Sequence, residues 1–360
     1  MATGATDIRV ALVGYGYGGS TFHAPLISTT PAMVLAGVVT RDPARAADVR
    51  RRYPGCRVLD RPDDVFADPG AWDVVVVSTP NGTHVGLANA ALEAGLDCVV
   101  DKPVAADPSA ARDLGRLAAA RARLLVPFHN RRWDGDFLTV RALVDDGRLG
   151  TVHRFESRFE RWRPDPSVGR GPGWKDDPDP SAGGGLLFDL GSHLVDQALV
   201  LWGRPRDVYA ELDARRPGVQ VDDDVFVALS WNSGRRAHLW ASALAADPGP
   251  RFRVLGSRSA YVKWGMDPQE DALRAGLTPA VTDWGAAPPD TWGRLDGDPV
   301  PTVPGAYPRF YAALASSVRD GAPPPVAWAD AVTGLEILDA ARRSAAGRSV
   351  VELAPPQWVV

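Results

Sequence analysis

Three glycines directly after an apolar segment constrain the fold of this chain more than any other feature. Residues 10–20 read V-A-L-V-G-Y-G-Y-G-G-S, which places Gly14, Gly16 and Gly19 in the spacing G-x-G-x-x-G. The first glycine permits a tight turn, the second lets the backbone approach a pyrophosphate, and the third lets a helix pack closely on the strand. A buried strand is predicted over 8–13 and a helix-length segment follows. The pattern therefore favours a dinucleotide-binding turn over a glycine-rich turn without a ligand.

Apolar segments alternate with helix-length segments from residue 7 to about residue 127. The V-V-V-V core of segment 72–78 has no polar alternation, which is typical of a parallel strand covered on both faces. Alternating strands and helices predict an α/β fold whose residues 1–127 form a doubly wound parallel sheet of the Rossmann type. The predicted strands are 8–13, 34–40, 72–78, 97–100 and 124–128, and the predicted helices are 43–52, 84–94 and 109–122.

Ligands of such sheets bind at the carboxyl ends of the strands, so polar residues there are candidates for contact with the dinucleotide. The second strand ends in Thr40-Arg41, and a hydroxyl with a guanidinium suits the 2′-phosphate of NADP. If Arg41 is only a solvated charge, NAD is the alternative. Asp42 is expected to cap the next helix. The cofactor-binding residues predicted from the turn and the strand ends are Gly14, Tyr15, Gly16, Tyr17, Gly19, Thr40, Arg41, Ser78, Thr79, Pro80, Asn81 and Lys102.

Lys102 is the first candidate for chemistry, because it follows the predicted strand 97–100 at the ligand-binding edge of the sheet. Pro103 restricts the backbone of Lys102 and helps to hold the lysine in one orientation. A lysine near a carbonyl oxygen stabilises developing negative charge or passes on a proton. The chain has few lysines among many arginines, which favours a specific role over an ordinary surface charge.

The segment 183–197, which reads G-G-G-L-L-F-D-L-G-S-H-L-V-D-Q, holds the second candidate site. Its glycines are expected to allow close approach to a ligand, and a helix is predicted to begin near Phe188. Asp189 and His193 are spaced i, i+4 and are expected to face the same side, one turn apart. A carboxylate beside an imidazole orients the ring, which suits it to accept a proton from an alcohol. The alternative is a helix-dipole partner and a buried structural histidine.

The pattern changes after about residue 128, and residues 128–360 are predicted to form an α+β domain with a large open, mostly antiparallel sheet. Segments 164–185 and 278–306 are rich in Pro, Gly, Asp and Trp and are predicted to be long ordered loops. An open sheet face would expose aromatic residues such as Phe155 and Phe159, which predicts association of subunits through that face. The predicted strands are 151–161, 207–212, 225–231, 236–244, 251–256 and 259–263, and the predicted helices are 307–319 and 329–346.

The composition limits the partners that we expect. There are 40 Lys and Arg against 44 Asp and Glu, a net charge of −4, and basic residues are interleaved with acidic ones. This balance predicts neither a nucleic-acid nor a membrane partner. No apolar run approaches the roughly 20 residues of a membrane span, and no secretion signal is apparent. The two cysteines and six scattered histidines lack metal-ligand spacing, so we predict no metal and a cytoplasmic protein.

Together, the motifs G-Y-G-Y-G-G, D-K-P and G-G-G-x-x-x-D-x-x-x-H-x-x-D resemble the Gfo/Idh/MocA family of glucose-fructose oxidoreductases and inositol dehydrogenases. The resemblance covers nearly the full length of the chain. Three longer strings are similar to the NADP-dependent scyllo-inositol dehydrogenase subgroup of that family. They are T-F-H-A-P-L-I at 21–27, F-H-N-R-R-W-D at 128–134 and Y-V-K-W-G-M-D-P-Q-E at 261–270.

The resemblance implies a catalytic lysine, aspartate and histidine, which fall on Lys102, Asp189 and His193. The family's E-K-P is D-K-P here, and its Lys-Pro bond is often cis. The resemblance also implies that the turn 78–81 contacts the nicotinamide side of the cofactor, with His84 near by. Subunits of the family usually form dimers or tetramers through the open sheet.

The predicted reaction is reversible hydride transfer between NADP and a secondary hydroxyl of a cyclic polyol. In this prediction His193 is the base, Asp189 orients it, and Lys102 binds the reacting oxygen. An aldose dehydrogenase or keto-sugar reductase is the alternative within the family, and a non-catalytic NADP-sensing regulator is the alternative outside catalysis. Besides the catalytic three, the residues predicted to hold substrate hydroxyls are Arg131, Trp162, Arg163 and Lys175.

Overall fold

Two sheets organise the molecule, which we describe from a computed structural model covering residues 7–166 and 174–355. A six-stranded sheet occupies the N-terminal part and a nine-stranded sheet the C-terminal part. The chain is therefore an α/β protein whose first sheet is parallel and whose second sheet is mostly antiparallel, as the sequence predicts.

The first sheet has the strand order β3-β2-β1-β4-β5-β6, and all its neighbours are parallel. Its central strand β4 is the V-V-V-V segment, in which every side chain is buried because helices cover both faces. The strands are β1 Ile8–Val13, β2 Met33–Val39, β3 Arg57–Leu59, β4 Val74–Val77, β5 Asp97–Asp101 and β6 Leu125–Phe128. The helices are α1 Ala24–Thr29, α2 Pro43–Arg52, α3 Pro62–Phe66, α4 His84–Glu93 and α5 Pro108–Arg121.

The first sheet contains one strand that the sequence analysis does not predict. Strand β3 has three residues, Arg57–Leu59, and pairs with β2 at the edge of the sheet. None of its side chains is fully buried, so the segment has no apolar period to reveal it. The order of the six strands reverses direction between β1 and β4, and in such sheets ligands bind beyond the carboxyl ends of these strands.

The second sheet has the strand order β14-β13-β12-β11-β7-β10-β9-β8-β15. Only β7 and β10 pair in parallel among the described strands of this sheet, and the other pairs are antiparallel. The strands are β7 Val152–Glu160, β8 Asp207–Asp213, β9 Asp224–Ser230, β10 Arg236–Ser242, β11 Phe252–Gly256, β12 Ala260–Lys263, β13 Gly293–Leu295, β14 Asp298–Val300 and β15 Val351–Glu352. The helices are α6 Gly135–Asp145, α7 Ser192–Trp202, α8 Gln269–Arg274, α9 Pro308–Asp320 and α10 Trp328–Gly347.

The structure corrects the prediction that 278–306 is only a loop. This segment contains the hairpin of β13 and β14, whose three-residue strands extend the sheet beyond β12. Helix α6, which follows the first sheet directly, is also absent from the sequence-based predictions. In the segment 164–185 the described residues form short single turns, and residues 167–173 lie outside the described part of the chain.

Helices α7 and α10 cover one face of the second sheet. Phe155 and Phe159 lie on this covered face and are buried within the subunit, so the prediction that they form an exposed association surface is wrong. Side chains alternate along a strand, and the opposite face carries Phe226, His238 and Trp240, which are only partly buried. The aromatic residues of the open face are thus different from those that the sequence suggests.

The chain returns to the first sheet after it has completed most of the second. Tyr307, Phe310, Tyr311 and Leu314 pack in one apolar cluster with residues of β1 and β2. Helix α9 therefore belongs to the core of the parallel sheet, although it lies in the segment 128–360 that is predicted as the second domain. Strand β6 ends at Phe128, so the first sheet ends one residue beyond the predicted division at residue 127, and its apolar cluster also includes residues of α9.

Candidate active site

The glycine-rich turn after β1 has the geometry that the spacing predicts. Gly14 has φ +103°, and an added Cβ would lie 2.2 Å from the carbonyl oxygen of Ser78. A Cβ on Gly19 would lie 2.1 Å from the carbonyl oxygen of Gly14. Both glycines are needed so that the turn, the strand β4 and the following helical segment fit against each other.

Gly16 differs from its two neighbours in the motif, because a Cβ added there would meet no protein atom within 4 Å. In dinucleotide-binding folds the glycine at this position of the motif is the one whose backbone a pyrophosphate approaches. The protein's own packing therefore does not require glycine at this position, whereas a ligand in close contact with the backbone does. This open cradle fits a dinucleotide phosphate.

The end of β2 offers no free carboxylate to the ribose of a cofactor. Asp42 accepts hydrogen bonds from the backbone N–H groups of Ala44 and Arg45, at 2.9 and 3.0 Å, and so caps α2 as predicted. Thr40 is buried beside it, and Arg41 is exposed and makes no hydrogen bond or ion pair within residues 7–166 and 174–355. A hydroxyl and a free guanidinium suit a phosphate at this position.

The turn after β4 is joined to the turn after β5 by the partly buried carboxylate of Asp101. Ser78 Oγ donates a hydrogen bond to Asp101 Oδ2 at 3.0 Å, and the backbone N–H of Lys102 donates to Asp101 Oδ1 at 2.9 Å. Burial opposes ionisation of Asp101, but the interactions with His23, Lys102 and His84 lower its pKa to about 2. The aspartate of D-K-P is thus an anion that holds the backbone of the candidate lysine.

His84 does not line the surface of the cofactor cleft, although the resemblance implies that it lies there. Its side chain is buried, and its two ring nitrogens lie 2.9 Å from the carbonyl oxygen of Pro103 and 2.8 Å from that of Thr79. Burial lowers the pKa of His84, so the ring is neutral and donates to one of these two carbonyl oxygens. The buried ring packs between the turn after β4 and the turn after β5, with both nitrogens facing the protein.

Lys102 follows β5 and reaches across to the segment before α7. Its Nζ donates a hydrogen bond to the backbone carbonyl of Asp189 at 2.5 Å and to the Asp189 carboxylate at 3.1 Å. The bond between Lys102 and Pro103 is cis, as the resemblance implies. Lys175 donates to the same carboxylate oxygen at 2.7 Å. The structure thus brings together Lys102, Lys175 and Asp189, which lie far apart in the sequence.

The carboxylate of Asp189 accepts hydrogen bonds from two ammonium groups, those of Lys102 and Lys175. Burial alone would raise the pKa of Asp189, but the charges of Lys102 and Lys175 lower it well below its ordinary value. Asp189 is therefore ionised, and the ion pairs fix the position of Lys102 Nζ at the edge of the first sheet. The side chain of Lys102 keeps 15% exposure, so the ammonium group retains access to the cleft.

His193 lies in the first turn of α7, but the predicted pairing with Asp189 is absent. Within the described chain, no hydrogen bond or ion pair joins the two side chains, and the buried Nδ1 of His193 has no partner. The two ammonium groups take the carboxylate because their charge-assisted hydrogen bonds are stronger than a bond from a neutral ring. Burial and then the charges of Lys102 and Arg131 lower the pKa of His193 well below its ordinary value. The imidazole is therefore unprotonated at neutral pH.

The glycines at 183–185 serve the protein's own packing rather than a ligand, which corrects the expectation from the sequence. A Cβ on Gly184 would lie 2.5 Å from the carbonyl oxygen of Asp177, and one on Gly185 would lie 2.3 Å from the carboxylate of Asp222. Asn81 Nδ2 donates to the carbonyl oxygen of Gly183 at 3.0 Å. The bond from Asn81 attaches the segment of Asp189 to the edge of the first sheet.

The other predicted substrate residues differ in where they lie. Arg131 is buried and pairs with Glu270 at 2.5 Å and with Asp134 at 3.3 Å, which the sequence does not reveal. Trp162 is 56% exposed, and its backbone forms a bridge with Leu244. The structure brings Lys175 to the Asp189 carboxylate and Arg131 near His193. Within the described residues, the side chains of Trp162 and Arg163 make no hydrogen bond or ion pair with these groups, so their contact with substrate stays a prediction.

The arrangement has the parts that a proton-coupled reaction of an alcohol or ketone needs. A fixed ammonium group and an unprotonated imidazole come from opposite halves of the molecule, beside a turn that fits a dinucleotide. In the described residues, no group of three or more His, Cys, Asp or Glu side chains is placed to hold a metal ion. None of the described helices is long and apolar enough to cross a membrane. The fold and site define an oxidoreductase of the dinucleotide-binding class.

Comparison with known proteins agrees with this class. Residues 8–129 match the model of the oxidoreductase family with an NAD-binding Rossmann fold, and residues 137–262 match the model of the GFO/IDH/MocA C-terminal domain. The chain belongs to the GFO/IDH/MocA family, as its motifs suggest.

Relatives match this chain over almost their full length. The uncharacterized oxidoreductase YdgJ of Escherichia coli is 41% identical, with 97% of this chain and 99% of that protein covered. The scyllo-inositol 2-dehydrogenase (NADP(+)) IolW of Bacillus subtilis is 33% identical, with 96% of each covered. The solved structure of the oxidoreductase yvaA from Bacillus subtilis has a TM-score of 0.88 at 32% identity, covering 97% of this chain and 98% of that one.

Proposed function

We propose that this oxidoreductase transfers hydride between NADP(H) and a secondary hydroxyl or ketone of a cyclic polyol such as scyllo-inositol. The observation that carries the proposal is the junction of Lys102 with Asp189 across the two halves, at 2.5 and 3.1 Å, beside the unprotonated His193. The relationship to IolW, which is named for this reaction with NADP, supports the choice of substrate and cofactor.

The residues of the site have separate roles in this proposal. A bound nicotinamide supplies the acceptor or donor of the hydride. Lys102 donates a hydrogen bond to the reacting oxygen and stabilises the negative charge that develops on it. His193 accepts the hydroxyl proton in oxidation and returns it in reduction. Asp189 holds Lys102 in position, which replaces the role of orienting His193 that the sequence suggests.

The cofactor contacts follow from the same edge of the first sheet. Gly14, Gly16 and Gly19 form the phosphate-binding turn together with Tyr15 and Tyr17. Arg41 and Thr40 bind the 2′-phosphate, because Asp42 is occupied in capping α2 and offers no carboxylate to the ribose. The turn residues Ser78, Thr79, Pro80 and Asn81 lie next to Lys102, and we assign them to the nicotinamide side.

A substrate panel tests the proposal directly. Steady-state rates with NADP and with NAD are measured across inositol isomers, aldoses and their keto forms. We expect turnover of inositols with NADP. The His193→Ala variant is expected to have a kcat at least about 100-fold lower and an unchanged Kd for NADPH. His153→Ala, at an exposed position on β7, is the matched control and is expected to keep full turnover.

Three results would contradict different parts of the proposal. Turnover of aldoses alone would replace the polyol by an aldose and leave the roles of Lys102 and His193 unchanged. NADPH binding without turnover of any substrate in the panel would favour a cofactor-sensing regulator. Full activity of His193→Ala would refute the assignment of the base.

We also propose that the subunits associate through the open face of the second sheet, as a homodimer or homotetramer in the cytoplasm. Phe226 and Trp240 lie on this face with their ring centroids 5.2 Å apart, and the guanidinium of Arg158 lies 3.9 Å above the ring of Trp240. Partly exposed aromatic rings of this kind favour burial against a second surface. Trp240→Glu is expected to shift the mass measured by light scattering toward the monomer, and an unchanged mass would refute this interface.

A further inference from the structure

The carboxylate of Glu270 joins the glycine-rich turn to the second half of the molecule. Tyr17, within G-Y-G-Y-G-G, donates its phenolic hydrogen bond to Glu270 Oε1 at 2.5 Å. The guanidinium of Arg131 donates to the other oxygen, Oε2, at 2.5 Å. Glu270 thus accepts one hydrogen bond from the predicted cofactor-binding turn and one from a cation on the substrate side of the cleft.

We propose that Glu270 is a positioning residue that couples cofactor binding to the substrate side of the cleft through Tyr17 and Arg131. The proposal rests on the proposed function for the identity of the substrate, but its core concerns contacts within this chain. No motif or charge pattern marks this connection in the sequence, since Tyr17 and Glu270 are 253 residues apart. The string Y-V-K-W-G-M-D-P-Q-E, which ends in Glu270, thereby acquires a structural role.

The segment that carries Glu270 is firmly attached to the segment of Arg131. The carboxylate of Asp267 accepts a hydrogen bond from the backbone N–H of Gly135 at 2.6 Å. Gln269 Nε2 donates to the backbone carbonyl of Trp133 at 3.1 Å. These bonds hold the segment of Glu270 against the segment of Arg131. A displacement of Tyr17 is therefore expected to move Glu270 and Arg131 together.

The protonation states support a stable bridge. Burial opposes ionisation of Glu270, but Arg131 and the phenol of Tyr17 lower its pKa below the ordinary value. Burial and the bond to Glu270 raise the pKa of Tyr17 to about 12, so the phenol keeps its proton and remains a donor. An ionised acceptor between two protonated donors gives two charge-assisted hydrogen bonds.

The far end of the bridge lies beside the proposed base. The guanidinium of Arg131 lies 4.8 Å from the ring centroid of Phe159. The backbone carbonyl of Arg131 accepts a hydrogen bond from Gln197 of α7. Gln197 lies one turn beyond His193 on the same helix. A change in the position of Tyr17 therefore reaches the helix that presents His193 through Glu270 and Arg131.

The chain offers a matched pair of variants for the test. Tyr17→Phe removes the phenol that bonds to Glu270, whereas Tyr209→Phe removes a phenol on β8 that bonds to a different glutamate, Glu211, at 2.9 Å. We measure the NADPH and NADH Kd of the full chain by nicotinamide fluorescence, together with thermal unfolding of each variant. Tyr17→Phe and Glu270→Ala are each expected to weaken cofactor binding about tenfold, the size of one hydrogen bond to a charged group.

A double-mutant cycle then separates coupling from general damage. Tyr17→Phe is expected to have no further effect on the cofactor Kd in a Glu270→Ala background, whereas Tyr209→Phe is expected to leave the Kd unchanged in both backgrounds. Additive effects of Tyr17→Phe and Glu270→Ala would overturn the proposal. If Glu270→Ala does not fold, Glu270→Met replaces it in the cycle, since methionine has a similar length and no carboxylate to accept from Tyr17 or Arg131.

The substrate side has its own measurement. Tyr17→Phe is expected to raise the KM for the polyol about tenfold, and Tyr209→Phe is expected to leave it unchanged. An equal rise in both variants would contradict transmission through Glu270. Absence of turnover with every polyol in the unmodified protein would refute the proposed function alone, because the cofactor cycle gives its result without turnover.

Discussion

Replacement of each motif glycine by alanine separates what the fold needs from what the cofactor needs. At Gly14 a Cβ would lie 2.2 Å from a backbone oxygen of the neighbouring turn, and at Gly19 a Cβ would lie 2.1 Å from a backbone oxygen. At Gly16 the same atom would enter open space. We therefore expect Gly14→Ala and Gly19→Ala to act on stability and Gly16→Ala to act on binding.

The magnitudes follow from the contacts. Overpacking against a backbone atom costs about 1–3 kcal/mol, which is the expected loss for Gly19→Ala. Gly14→Ala adds the cost of holding alanine at φ +103°, about 1–2 kcal/mol more, for a total of about 2–5 kcal/mol. Gly16 has no positive φ of this kind. The free energy of unfolding of Gly16→Ala is therefore expected to stay the same or to rise by about 0.4–1 kcal/mol.

The assay compares thermal unfolding without ligand and the NADPH Kd by fluorescence. Gly16→Ala is expected to keep its unfolding temperature and to lose at least about tenfold in NADPH affinity, because the methyl group enters the space assigned to the pyrophosphate. Gly14→Ala and Gly19→Ala are each expected to lower the unfolding temperature, with the larger decrease for Gly14→Ala. The reasoning is refuted if Gly16→Ala binds NADPH as well as the unmodified protein, or if it unfolds as early as Gly14→Ala.

Three further predictions concern charge. Lys102→Met is expected to lower kcat/KM by about 100- to 1,000-fold while the NADPH Kd stays constant, and a smaller loss would argue against its bond to the reacting oxygen. Arg41→Glu is expected to raise the KM for NADP about tenfold and to leave the KM for NAD unchanged, since only NADP carries the 2′-phosphate; equal changes would refute the assignment. Burial lowers the pKa of His129, so below pH 6.5 the unfolded ring binds a proton that the folded ring does not, and stability falls as the pH falls. His129→Gln is expected to lose less stability than the unmodified protein between pH 7 and pH 5, by up to about 1.4 kcal/mol per pH unit, measured by denaturant unfolding.

The regular elements of the first sheet can be predicted because their residues are buried in a regular way. The V-V-V-V run and the helix 43–52 reappear as β4 and α2 with nearly the expected bounds. Strands such as β3 and β13 cannot be predicted in the same way, since each has three residues and little buried surface. The covered face of the second sheet also escapes prediction, because alternation along a strand gives two faces without saying which one the helices pack against.

The candidate site is predicted in part. The contacts that are not predicted join residues from separate segments of the sequence. The positions of Lys102 and Asp189 follow from local motifs, but the second lysine on Asp189 comes from an irregular segment. Local spacing suggests that Asp189 pairs with His193, and it does not account for an ammonium group that competes from elsewhere in the chain. The bond between Tyr17 and Glu270 is likewise a product of tertiary structure.

Three contacts join the edge of the first sheet to the second half, and each one starts from a different turn of that edge. Tyr17 bonds to Glu270, Asn81 bonds to the carbonyl of Gly183, and Lys102 bonds to Asp189. Because the three turns follow β1, β4 and β5, which are neighbours in one rigid sheet, their relative positions are fixed by the backbone ladder. The cleft therefore keeps its shape through the sheet rather than through the loops that line it. A ligand that contacts one of these turns is held in a defined position relative to the other two.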